Sequence, residues 1–202
     1  MRVKVMAISA IGLLIGMAAA VAIYPGVVGQ LLPGKQTWSV GKAAIGGPFS
    51  LVDHSGKAVT EKSYSGEFLL VFFGFTYCPD ICPAALQTVS AALDKLGGKA
   101  NKVRPLFISV DPERDTPEQL KLYVSNFHKR IAGLTGTAEQ IDAVAKAYRV
   151  YFRKVEDASN SDGYTVDHSA FIYLMAPNGD YVTHFTHVTS PDKMAERLRR
   201  EL

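Results

Sequence analysis

Cysteine is nearly missing from this chain: among 202 residues there are only Cys78 and Cys82. Two thiols four positions apart exclude a disulfide framework, because a bridge between them would close a very small loop and constrain little else. Excess charge of either sign is missing too, with a formal net charge of +3. The basic residues are scattered apart from Arg197, Arg199 and Arg200, so the basic stripe of a nucleic-acid-binding surface is absent. There are no internal repeats and no low-complexity tracts, which removes solenoids and arrays. What remains is a globular composition, 48% hydrophobic and 20% charged, with room for one domain and a tail.

The tail comes first. Arg2 and Lys4 precede an apolar run from Val5 to Tyr24, about twenty residues and so long enough to span a bilayer. Basic residues on its N-terminal side predict that end cytoplasmic and the rest of the chain exported. Ala20-Val21-Ala22 also fits a small-x-small processing site, so a cleaved signal peptide competes with a retained anchor, and both export the domain. Length favours the anchor, and no cysteine suited to lipid attachment ends the run. Residues 1–24 are therefore read as anchor or signal peptide. Residues 25–45, broken by Pro25-Gly26, Gly29 and Pro33-Gly34, read as a tether, and residues 46–202 as the folded domain.

Within that domain the stretch from Phe68 to Pro83 organises the rest. Its apolar run, Phe68 to Phe75, predicts a strand buried on both faces, as in the middle of a parallel sheet. Leu86, Val89, Leu93 and Leu96 follow at helical spacing, and Pro83 suits the first helical position. That puts Cys82 at or beside the N-cap and both thiols at the mouth of a strand–helix turn, where free N–H groups and the helix dipole favour thiolate. Such a place suits soft-metal or redox chemistry.

Before this stretch, Pro48–Val52 and Lys57–Thr60 predict a hairpin around Asp53-His54-Ser55-Gly56, with His54 solvated in the turn. After it comes a strand over Val103–Val110, then a helix capped by Thr116 and opened by Pro117 that runs to about Phe127. The short apolar Ile131–Leu134, a helix from Thr137 to Tyr148, a strand at Tyr151–Val155 and a polar loop follow. Val166-Asp167-His168-Ser169 leads into a strand ending at Met175, answered by Tyr181–Phe185 and a closing amphipathic helix.

This order resembles the thioredoxin-like layout, an α/β fold with a mixed central sheet and helices on both faces, here with an N-terminal hairpin extension. The layout implies that the strand after His168 runs antiparallel to the central one, which places His168 beside Cys78 and Cys82. Thioredoxins carry a cis-proline in that region, whereas this chain has no proline between Pro117 and Pro177. Two thiolates and an imidazole suit Cu(I), with room for Cu(II) through an added oxygen ligand. Zinc also accepts Cys₂His, but a structural site needs a fourth protein ligand and a catalytic one a general base, and neither is visible. Asp167 could orient the ring or hold a loop. Asp111 leaves a strand on the same rim and reads as a loop-tying carboxylate. His184 and His187 read as surface residues, and His128 as a favourable charge near a helix end.

Three blocks carry a more specific likeness: Gly74-Phe-Thr-Tyr-Cys78-Pro-Asp-Ile-Cys82-Pro83, Ser109-Val-Asp111-Pro-Glu-Arg-Asp-Thr-Pro117, and Asp167-His168-Ser169 ahead of Tyr173-Leu174 and Pro177-Asn-Gly179. In that order they resemble the Sco/SenC family. The resemblance implies a membrane-tethered thioredoxin-like domain that binds one copper ion through Cys78, Cys82 and His168. It implies a role in maturing the copper centre of cytochrome c oxidase, with the oxidase's copper-bearing subunit as partner, an upstream copper donor, and no nucleic acid. The domain would face the periplasmic side of the inner membrane. The work would be delivery of copper without turnover, or reduction of the target's cysteines with Cys78 and Cys82 as the redox-active pair. A peroxidase on this fold would need one cysteine in a dedicated activating surround, which the sequence does not show.

Overall fold

The computed structural model describes residues 45–158 and 163–202. The expected anchor, and the tether as far as residue 44, lie outside the described residues. Among the described ones, no helix is long and apolar enough to cross a membrane.

Seven strands form one sheet: β1 (Ser50–Asp53), β2 (Ala58–Thr60), β3 (Phe68–Gly74), β4 (Val103–Ser109), β5 (Ala132–Thr135), β8 (Phe171–Met175) and β9 (Tyr181–Thr186), in the spatial order β2-β1-β5-β4-β3-β8-β9. β3, β4 and β5 are parallel, and β8 runs antiparallel to β3 with Phe72 opposite Ile172. β3 is buried from Leu69 to Gly74 because both its faces are covered. Leu70 and Phe72 join a core with the helices α1 (Ile81–Leu96), α2 (Pro117–Val124) and α4 (Pro191–Glu201). Leu69, Val71 and Phe73 join a second core with α3 (Ala138–Ala147) and the β1–β2 hairpin. This is the thioredoxin-like architecture with its N-terminal hairpin.

Helix starts follow side-chain capping. Thr116, Thr137 and Ser190 accept bonds from the N–H groups of Gln119, Gln140 and Lys193. Strand ends shift by a residue or two, and two helix boundaries differ more plainly from the sequence reading. α2 stops at Val124, short of Phe127. α1 starts earlier than expected, with Asp80 in the N-cap position, so Cys82 and Pro83 are its second and third residues. Pro83 is at ease there because none of the first four helical N–H groups has an intrahelical partner to lose.

The larger difference is a second, separate sheet. Among the described residues β6 (Phe152–Glu156) pairs only with β7 (Tyr164–His168), where the sequence predicts a lead-in to the next strand. Of β7 only Val166 is fully buried, so its apolar signal is faint. His168 is therefore the last residue of a hairpin that lies outside the seven-stranded ladder.

Candidate metal centre

β3 ends at Gly74 and the chain turns through Phe75, Thr76 and Tyr77 into α1. The turn is fastened by a carboxylate. Buried Asp115 accepts the Thr76 N–H (3.0 Å), the Thr76 hydroxyl (2.6 Å) and the Ser109 hydroxyl (2.6 Å). Burial pushes its pKa up against the pull of those bonds. The Cys78 N–H bonds the Phe75 carbonyl at 3.3 Å, and the Cys82 N–H donates to Cys78 Sγ at 3.4 Å. A free helix-start amide thus points at a sulfur, as the sequence placed it.

His168 reaches the pair from the hairpin. Its Nε2 stands 3.5 Å from Cys82 Sγ, and its Nδ1 lies 3.2 Å from the Ser169 carbonyl oxygen. A carbonyl only accepts, so Nδ1 carries the proton in this bond and Nε2 turns its lone pair toward the sulfurs. The ring is wedged edge-on against Phe72 and Phe75, with centroids 6.2 and 5.9 Å away. The three donor atoms of Cys78, Cys82 and His168 all lie within 4.8 Å of one another. First-row ions make bonds of about 2.0–2.3 Å to nitrogen and sulfur, so a small inward movement would let this set close on one ion. Cys82 is fully buried, and Cys78 and His168 are half-buried.

Both cysteines are free thiols, and their environments push them apart. The hydrogen bond from the Cys82 side chain draws the Cys78 pKa down to about 4 against burial, and the Cys82 backbone N–H lowers it further. The bond to Cys78, and then burial, push Cys82 up. One proton serves two sulfurs and sits on Cys82, so the sequence expectation of two activated thiols holds for Cys78 alone. Gly74 makes room for the arrangement: a Cβ there would stand 2.7 Å from Cys82 Sγ and 2.7 Å from the Phe107 ring.

Other residues singled out in the sequence fall elsewhere. Asp167 is exposed and pairs with Arg153 across the β6–β7 hairpin at 3.5 Å, while the Ser169 carbonyl takes the ring-orienting place. Asp111 ties the loop, accepting Arg114 Nε (2.5 Å) and the Tyr164 hydroxyl (3.0 Å). His184 accepts or donates one bond with the Tyr181 hydroxyl (2.6 Å) and packs on Phe171, and His187 is exposed. His54 is not simply solvated: its Nδ1 accepts the Gly133 N–H at 3.2 Å and pins the β1–β2 turn to β5. His128 is not a dipole-stabilised cation, because burial lowers its pKa and its Nδ1 accepts the Arg130 N–H. Sequence reasoning missed Asp115 and Arg114, whose partners are far along the chain. The only trace was their place in the Asp111–Pro117 segment.

Comparison with known proteins adds an independent line. A family model described as SCO1/SenC matches residues 39–202. Protein SCO1 homolog 1, mitochondrial, of Arabidopsis thaliana is 47% identical over 169 residues, covering 83% of this chain and 50% of its own length. The chain spans about half the length of the curated relatives it matches. Among solved structures, Bradyrhizobium japonicum ScoI with copper bound is 48% identical with a TM-score of 0.73, covering 79% of this chain and 100% of that one. Arabidopsis thaliana ScoI with copper bound is 46% identical with a TM-score of 0.74, covering 78% of this chain and 98% of that one.

Proposed function

This chain belongs to the SCO1/SenC family, and from that footing we propose that it is a copper carrier, taking one ion between Cys78 Sγ, Cys82 Sγ and His168 Nε2. The observation that carries this reading is the approach of the three donor atoms to within 4.8 Å. Two sulfurs and one imidazole favour a soft ion, and a three-donor set leaves a side open for loading and release. The copper-bound relatives support the choice of metal. The destination is the copper centre of cytochrome c oxidase, reached by contact with the oxidase subunit that bears it. The apolar run at Val5–Tyr24 would hold the domain on the periplasmic side of the inner membrane.

A second reading is favoured by the lowered pKa of Cys78. A thiolate beside a thiol can reduce a disulfide. Cys78 Sγ attacks a target sulfur and releases the other as thiolate. Cys82 Sγ then attacks Cys78 Sγ, closing the Cys78–Cys82 disulfide, and its proton ends on a released target sulfur. Two electrons pass from this chain to the target, whose cysteines are then ready for copper.

The copper-to-protein ratio of the reduced protein separates these readings. The carrier reading expects about one copper on the wild type and loss of tight binding in Cys78→Ala, Cys82→Ala and His168→Ala. Wild-type loading of His168→Ala would overturn it. Under the reductase reading, His168→Ala keeps its disulfide-exchange rate, since only the sulfurs react.

A further inference from the structure

Among the described residues, the hairpin that ends at His168 pairs with no strand of the main sheet, and a buried cation bridges it to the cysteine turn. Arg114 has a side chain only 9% exposed, and its Nε donates to Asp111, whose side chain is fully buried, at 2.5 Å. Its Nη1 donates to the Tyr164 carbonyl at 3.4 Å. The flat guanidinium lies 3.8 Å from the Tyr164 ring centre, 4.6 Å from that of Tyr77 and 5.9 Å from that of Phe75. Tyr77 adjoins Cys78, Tyr164 opens the strand that His168 closes, and Phe75 packs on the His168 ring. The Tyr164 hydroxyl completes the circuit by donating to Asp111 at 3.0 Å, and the Asp111 N–H is held by Ser109 Oγ at 3.0 Å.

We propose that Arg114 is a positioning residue, which sets His168 against the sulfur pair by clamping the β6–β7 hairpin to the cysteine turn; this rests on the copper-carrier reading above. A buried ion pair is a poor source of net stability, because desolvation offsets its attraction. What it supplies is geometry: a rigid fork for Asp111 and two flat faces for aromatic rings, which a lysine ammonium cannot reproduce. Another link from this segment, Lys154 to Glu113, is exposed at both ends and contributes little. Groups that hold a metal-binding histidine in place typically change affinity about 10–100-fold when removed.

The test is a double-mutant cycle on the full chain, read by Cu(I) competition against a chelator and by the thiolate-to-copper charge-transfer band of the Cu(II) form. Arg114→Met is expected to weaken Cu(I) about 10-fold and to shift the band. In a His168→Ala background the same change is expected to do nothing further, because the clamp then has no ring to place. Tyr164→Phe, which keeps the ring and removes only the hydroxyl, is the gentler second variant and should shift both readouts in the same direction, again only when His168 is present. Nitrogen-15 NMR of the copper-free protein gives a readout without metal: either variant should move the His168 ring resonances. An Arg114→Met loss that persists undiminished without His168, or variants that match wild type in affinity, band and ring resonances, would overturn the clamp while leaving the carrier reading intact. Wild-type copper binding by His168→Ala would remove the carrier reading and the clamp with it.

Discussion

Cys82 Sγ occupies the space that Gly74 leaves open: a Cβ on residue 74 would lie 2.7 Å from that sulfur. Real Cβ atoms do not approach so closely, so Gly74→Ala must push the sulfur and the Phe107 ring away together. Overpacking of this kind costs about 1–3 kcal/mol. Urea unfolding should show a lower midpoint at unchanged slope, and copper binding should weaken because one donor has moved. A variant with wild-type stability and affinity would show that the turn yields freely.

Cys78 is expected to react as a thiolate far below the usual thiol range. With its pKa drawn down to about 4, the deprotonated form dominates above that pH. In the reduced, copper-free protein the alkylation rate of Cys78 should be level from about pH 5 to 8, whereas an ordinary cysteine loses about tenfold per unit below its pKa of about 8.5. Because the leading cause is the bond from Cys82, Cys82→Ala should raise the Cys78 pKa and move the profile toward higher pH. A wild-type rate that climbs through pH 8 would contradict this placement.

Asp115→Ala would leave the Thr76 N–H and the hydroxyls of Thr76 and Ser109 without their acceptor in a buried site. Unsatisfied buried donors cost about 1–3 kcal/mol each, partly recovered by water and rotation, so a loss of about 2–3 kcal/mol is expected in chemical denaturation. The turn carrying Cys78 would loosen as well, visible as faster amide exchange at Tyr77 and Cys78. A stability change under about 0.5 kcal/mol would place Asp115 among surface-like positions, against its full burial.

Oxidation of the Cys78–Cys82 pair should abolish Cu(I) uptake, since a disulfide offers no thiolate to the ion. The measurement is copper retained by the oxidised protein after desalting, with the re-reduced sample as control. Undiminished uptake would count against the sulfurs as donors.

The parts of the fold that were legible in the sequence are those where a side-chain pattern has one structural meaning. β3 was readable because an unbroken apolar run with glycine at its end suits only a strand covered on both faces, and Thr116 and Thr137 announced their helices by capping. The meeting of Cys78, Cys82 and His168 followed from topology, because β8 beside β3 brings their ends to one rim. β7 escaped because Tyr-Thr-Val-Asp-His buries a single side chain and pairs with only one partner. Pro83 misled by two positions because proline fits anywhere in a first turn. The ties from Asp115 to Thr76 and from Arg114 to Tyr164 cross 39 and 50 residues, and no local spacing encodes such partners.

On the copper-carrier reading, the hairpin's separation from the main ladder bears on the order in which the donors are released. Two sulfur donors sit on the turn that Asp115 fastens, while the nitrogen donor ends a hairpin whose strands pair with no strand of the seven-stranded sheet. An acceptor protein could therefore displace the imidazole first and engage the ion while both sulfurs still grip it. Exchange by such relay would keep the ion bound by sulfur at every stage.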